Sequence, residues 1–198
     1  MASASRAKLK TPARISKAAQ HLFQQRGYHA VGTAEIVAEA GATKGSLYHH
    51  FPDGKEQIAC EVVRAIRDDV LARLDVLEAS GLDAPRVVIA LAEGMAHWLE
   101  ARECREGTLL ASLAVGAVPD APQLHRALAE ALEAWRARLG ALLLRAGFRK
   151  QAARAMAQTV LAGLEGALLI ARIDGNARVV IQVGRTLGSL IERGTQSA

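Results

Sequence analysis

Glycine and proline break this chain into stretches that each carry one helical stripe, and that punctuation limits the fold more than any other feature. From Thr11, with Pro12 at an early helical position, apolar residues recur at Ile15, Ala18, Ala19, Leu22 and Phe23 until Gly27. Three- and four-residue spacing places them on one helix face, and a glycine just beyond the last turn is where a helix stops. Thr33 is expected to cap a second helix with Ile36, Val37 and Ala40 on its apolar side, closed by Gly41. Thr43 then caps a short third helix, Lys44 to His50, which Phe51-Pro52 stops. Asp53 opens a long fourth helix to about Ser80. Further helices are expected from Asp83-Pro85 to about Arg105, Gly107 to Val118, Asp120-Pro122 to Ala146, Arg149 to Arg172 and Ala177 to Glu192. The expectation is an all-α protein of nine helices without a strand.

Composition points the same way. The chain is 51% apolar, yet it has only two Trp, two Tyr and three Phe, and alanine and leucine carry most of the rest. Those are helix formers, whereas strands favour β-branched and aromatic residues. Cys60 and Cys104 form no CxxC or zinc spacing, so no disulfide scaffold is expected and a reducing cytoplasm fits. The opening MASASRAKLK is basic without an apolar core, unlike a secretory signal. The most apolar window, Val160 to Ala171, is short and interrupted by Glu165, so no membrane span is expected.

The charge is unevenly placed. Residues 1–57 carry eight Lys or Arg against four Asp or Glu, plus His21, His29, His49 and His50, whereas residues 58–198 carry 17 against 16. An excess confined to the first 57 residues fits a polyanionic partner for that part alone. Two short helices joined by a tight glycine turn, behind a longer first helix, form a helix-turn-helix pattern.

Residues 33–56 read TAEIVAEAGATKGSLYHHFPDGKE, and this stretch resembles the DNA-binding domain of the TetR family of transcriptional repressors. The resemblance rests on Ile36-Val37, Ala40-Gly41, the run Lys44 to Tyr48, His49-His50-Phe51 and Lys55-Glu56, and reaches back through Ala18-Ala19, Leu22-Phe23 and Gly27-Tyr28. Thr108 to Leu113, Pro122 through Trp135 and Leu161 to Leu169 resemble a subgroup that responds to drugs and flavonoids. One departure stands out: where that subgroup opens its sixth helix with Gly-Cys, this chain has Glu106-Gly107-Thr108, with Cys104 displaced.

The resemblance implies three regions: a flexible basic arm at 1–10, a DNA-binding domain at 11–57, and a ligand-binding and dimerisation domain at 58–198. It implies a ligand-responsive repressor, homodimeric on a palindromic double-stranded DNA operator and released by a small apolar or aromatic effector, with no cofactor. Thr43, Lys44, Gly45 and Ser46 lie at the start of the recognition helix, where a lysine can donate to a guanine edge. Tyr48 and His49 are placed to reach phosphates, and Thr33 and Lys55 resemble the family's phosphate contacts. Leu47 and Phe51 should face inward.

Met95, Trp98, Leu110, Leu113, Trp135 and Leu139 are the expected effector-binding residues, because aromatic and Met side chains suit flat apolar molecules. Small residues among large ones on the last two helices suggest an interface with a second copy, at Gly163, Ala167, Ile170, Val180, Gly184, Leu187 and Gly188. His97 and Cys104, seven apart, are too distant along a helix to share a metal. No nucleophile, base and acid constellation points to an enzyme. A small-molecule carrier without DNA function remains the alternative from another class.

Overall fold

The computed structural model describes residues 10–106, 108–117 and 120–196. Among them are nine helices and no strand: α1 Thr11–Arg26, α2 Thr33–Ala40, α3 Lys44–His50, α4 Lys55–Ala79, α5 Ala84–Glu100, α6 Leu109–Ala117, α7 Pro122–Arg145, α8 Lys150–Asp174 and α9 Arg178–Gln196. The basic arm, apart from Lys10, and the Val118-Pro119 end of the sixth helix lie outside the described residues.

The helices form two compact units that are discontinuous in sequence. One takes the residues up to Ile66 together with Leu109–Ala131, and the other takes Arg67–Thr108 with the residues from Leu132 onward. In the first unit α1 packs against α2, α3 and α6. Ile15, Ala19, Phe23, Ile36, Leu47, Ile58, Leu113 and Leu124 are fully or almost fully withdrawn from solvent there. The α1–α2 turn is tied to α6 by the Tyr28 N–H, which donates to the Ser112 carbonyl at 3.4 Å.

In the second unit α5 and α9 pack against each other and both pack on α8. Val87, Val88, Ala92, Leu99, Val160, Leu164, Leu168, Val180, Leu187 and Ile191 form its buried interior. By length and composition α8 is apolar enough to cross a bilayer. Here, however, Val160, Leu164, Leu168 and Ala171 are core residues of the unit.

Several helix ends differ from the sequence expectation. The α2 cap is Gly32 rather than Thr33: its N–H donates to Glu35 Oε2 at 2.9 Å, which leaves Thr33 as the first helical residue. α4 starts on the Gly54 carbonyl, which accepts from the Ile58 N–H, while the Asp53 N–H donates to Gln57. α5 stops at Glu100, five residues before Arg105, because Glu103 and Cys104 take left-handed backbone (φ 52° and 56°). The Cys104 N–H returns to the Leu99 carbonyl at 3.0 Å, so Cys104 is buried by a turn back onto the helix end.

Several of the small residues expected at an interface with a second copy also bring helices of one chain together. A Cβ on Gly163 would stand 3.2 Å from Leu187, and one on Gly188 would stand 2.8 Å from Ile89. A Cβ on Gly184 would overlap that of Ala92. Ala167, Val180 and Leu187 are likewise buried within the protomer. Close approach of α9 to α5 uses Gly184 and Gly188, and that of α8 to α9 uses Gly163. Of that set Ile170 alone is an exposed large side chain, with Leu169, Ile173 and Leu190 also exposed.

Candidate nucleic-acid interface

Local chemistry builds the helix-turn-helix in the first unit. Gly41 closes α2 in left-handed backbone (φ 58°), a conformation in which a side chain would be strained. The Ala42 N–H returns to the Val37 carbonyl, completing a tight helix exit. Thr43 Oγ1 then accepts from the Ser46 N–H at 3.1 Å and caps α3. From α1, Arg14 Nη2 donates to the Gly41 carbonyl at 3.0 Å, holding the turn to the first helix.

α3 divides cleanly into two faces. Leu47 is fully buried and Phe51 nearly so, as the sequence required. Thr43, Lys44, Gly45, Tyr48, His49 and His50 are exposed, and Ser46 is half-buried. The Tyr48 ring lies over Gly54, where an added Cβ would meet Cε1 at 3.5 Å. His49 and His50 meet edge to face at 5.0 Å. The cap and the exposed side of α3 therefore present the Thr43 hydroxyl, the Lys44 ammonium, the Tyr48 phenol and the imidazoles of His49 and His50 outward from an apolar anchor.

Lys55 is placed differently. Its Nζ donates to the Tyr28 carbonyl at 3.2 Å and lies 4.3 Å from the centre of the Tyr28 ring. Partial burial lowers its pKa, and burial raises that of Tyr28, with Glu56 adding to the rise. This ammonium pins the α1–α2 turn to the start of α4. Next to it, Glu56 Oε1 accepts from the N–H groups of Gln123 and Leu124 at 2.8 and 3.2 Å, capping α7 from another helix. No sequence signal announced that contact, since 67 residues separate the partners. The Gly32-x-x-Glu35 cap was readable as a spacing.

The expected effector residues fall in both units. Leu113 is fully buried and Leu110 half-buried in the first. Met95, Trp98, Trp135 and Leu139 belong to the second, with Trp135 and Leu139 buried and the other two half-buried. Trp135 Nε1 donates to the Arg67 carbonyl of α4 at 3.2 Å, and the Arg102 guanidinium lies 4.8 Å from the Trp98 ring. Among the described residues, no three His, Cys, Asp or Glu side chains gather as metal ligands.

A capped, solvent-facing recognition helix behind a glycine turn defines a helix-turn-helix regulator of transcription. Residues 15–62 match the family described as bacterial regulatory proteins, tetR family. Residues 85–186 match the transcriptional regulator LmrA/YxaF-like C-terminal domain. The HTH-type transcriptional regulator LmrA of Bacillus subtilis is 30% identical over 91% of this chain and 96% of its own. The HTH-type transcriptional repressor KstR2 of Rhodococcus jostii is 41% identical over 35% of this chain and 34% of its own. The fold is that of a TetR regulator from Legionella pneumophila, with a TM-score of 0.83, 21% identity, and coverage of 92% of this chain and 97% of that one. The chain belongs to the TetR family, whose members regulate transcription and are not enzymes.

Proposed function

We propose that this regulator is a cytoplasmic homodimeric repressor that holds a palindromic operator through residues 11–57 and releases it when residues 58–198 take up a small apolar or aromatic effector. The observation that carries the reading is the outward display of Lys44, Gly45, Tyr48 and His49 on a helix anchored by Leu47. Lys44 is assigned to a base edge, and Thr33, Thr43, Ser46, Tyr48 and His49 to phosphates. Lys55 acts by positioning, through Tyr28.

The dimer sets two recognition helices about one DNA turn, ~34–36 Å, apart. The exposed apolar side chains Leu169, Ile170 and Ile173 on α8 supply the face for the second copy. Effector and operator oppose each other by one coupling free energy, equal in both directions. That Leu113 and the Tyr28–Ser112 bond share a compact unit with the recognition helix supports α6 as the element an effector moves.

Binding to DNA from the chain's own upstream region, measured by fluorescence anisotropy against salt, tests the reading. Lys44→Ala should relax base preference, whereas Tyr48→Phe should weaken all sequences alike. Unchanged affinity in both variants refutes the assignment.

A further inference from the structure

Glu165 lies where a carboxylate is costly. On α8 it shares the core-facing side with Leu161, Leu164 and Leu168, and the last two are buried. Its Oε2 accepts a hydrogen bond from Thr108 Oγ1 at 2.8 Å. Two other shielded carboxylates of this unit each have an arginine against them: Glu106 with Arg102, and Glu78 with Arg138 and Arg145. Glu165 has a neutral hydroxyl instead. One hydroxyl satisfies a small part of a carboxylate's acceptor capacity and none of its charge. Packing does not need that charge either, since a glutamine would fill the same space and accept the same bond.

Thr108 stands just ahead of α6, two residues after Glu106. Glu106 is in turn tied to Trp98, because Arg102 lies over the indole and also pairs with Glu106 at 2.8 Å. Residues 98 to 108 thus carry both an indole and the hydroxyl that meets Glu165.

We propose that Glu165 is the polar anchor of the effector site and that the effector is an apolar, aromatic molecule carrying a basic amine. The assignment rests on the effector reading above and narrows it to a chemical class. A cation brought in by the ligand forms the charge-assisted bond that no described residue supplies, at a position sheltered enough to make it strong. Burial raises the Glu165 pKa and the Thr108 bond opposes that rise, so an incoming ammonium also favours the ionised carboxylate.

The test uses three matched probes: 1-naphthylmethylammonium, 1-naphthylmethanol and 1-naphthoate. Their binding to the full chain is titrated calorimetrically, and their release of operator DNA is followed by anisotropy. The ammonium should bind on the order of tenfold more tightly than the alcohol, and the naphthoate least. Glu165→Gln should abolish that preference while leaving DNA affinity without probe unchanged. Equal binding of ammonium and alcohol, or a preference that survives in Glu165→Gln, overturns the assignment. Release of DNA by the alcohol at equal affinity would still uphold the effector reading, whereas failure of all three probes to bind overturns both. If Glu165→Gln does not fold, the ordering of the three probes on the unaltered chain decides the matter.

Discussion

Replacing Gly184 by alanine gives the most direct measure of how α9 is used. Its Cβ would overlap the Ala92 Cβ, and it would also stand 3.8 Å and 3.9 Å from the α carbons of Ala92 and Ile89. Nonbonded carbons rest about 3.5–4.0 Å apart, so α5 is already at contact distance. Relief therefore requires moving a helix backbone rather than the tip of a side chain. Overpacking of this kind costs about 1–3 kcal/mol, and this site belongs at the upper end. The better helix propensity of alanine returns up to about 1 kcal/mol. A net loss of about 2 kcal/mol lowers Tm by roughly 4–8 °C in a chain of this size.

Gly140→Ala is the control, because a Cβ there meets nothing within 4 Å; it should raise Tm by roughly 2–4 °C. Adding Ala92→Gly to Gly184→Ala should recover part of the loss, and a double-mutant cycle isolates the coupling. Thermal unfolding by circular dichroism over a hundredfold range of protein concentration completes the assay. Wild-type stability in Gly184→Ala, or a loss that disappears as concentration rises, would put Gly184 between copies and refute the intrachain packing.

Glu56→Ala should cost about 1–2 kcal/mol by uncapping α7, with Glu56→Gln losing less because its amide oxygen still accepts; thermal unfolding of the pair checks this. Arg138 bonds both Asp75 and Glu78, and its hydrogen bond is the main cause that holds the Glu78 carboxyl below its ordinary value. That contribution is complete above about pH 4.5 and is lost as pH falls through the lower folded value. The stability gap between wild type and Arg138→Met, about 1 kcal/mol near neutrality, should therefore close in acid when measured by urea unfolding. Ile173→Glu changes a side chain that is 76% exposed in the protomer. It should leave helicity intact and shift sedimentation from dimer to monomer, and a dimer that persists would remove α8 from the interface.

The helices and the two faces of α3 were legible because their determinants are local. Thr43 caps three residues ahead, Gly41 takes a backbone few residues accept, and Leu47 with Phe51 mark the inward side of α3. Contacts between distant segments were hidden. Nothing in the spacing of Lys55 foretells that its ammonium lies over Tyr28, and Glu56 as the cap of α7 has no local signature. Glycine stripes were legible as close approach but silent on the partner. Gly184 and Gly188 lie against α5 of their own chain. The end of α5 was overrun because helical spacing continues on paper past Leu99, while Glu103 and Cys104 turn the backbone the other way.

The aromatic residues have a consequence beyond packing. Both tyrosines, Tyr28 and Tyr48, belong to the unit that carries the recognition helix, and both tryptophans, Trp98 and Trp135, belong to the other. The chain is thus optically labelled by nature, with phenol in one unit and indole in the other. Light absorbed by indole alone interrogates Trp135 on the Arg67 carbonyl and Trp98 beneath Arg102. Phenol emission, in turn, reports Tyr28 and Tyr48 together. Changes in the two units can then be timed separately in one unmodified sample.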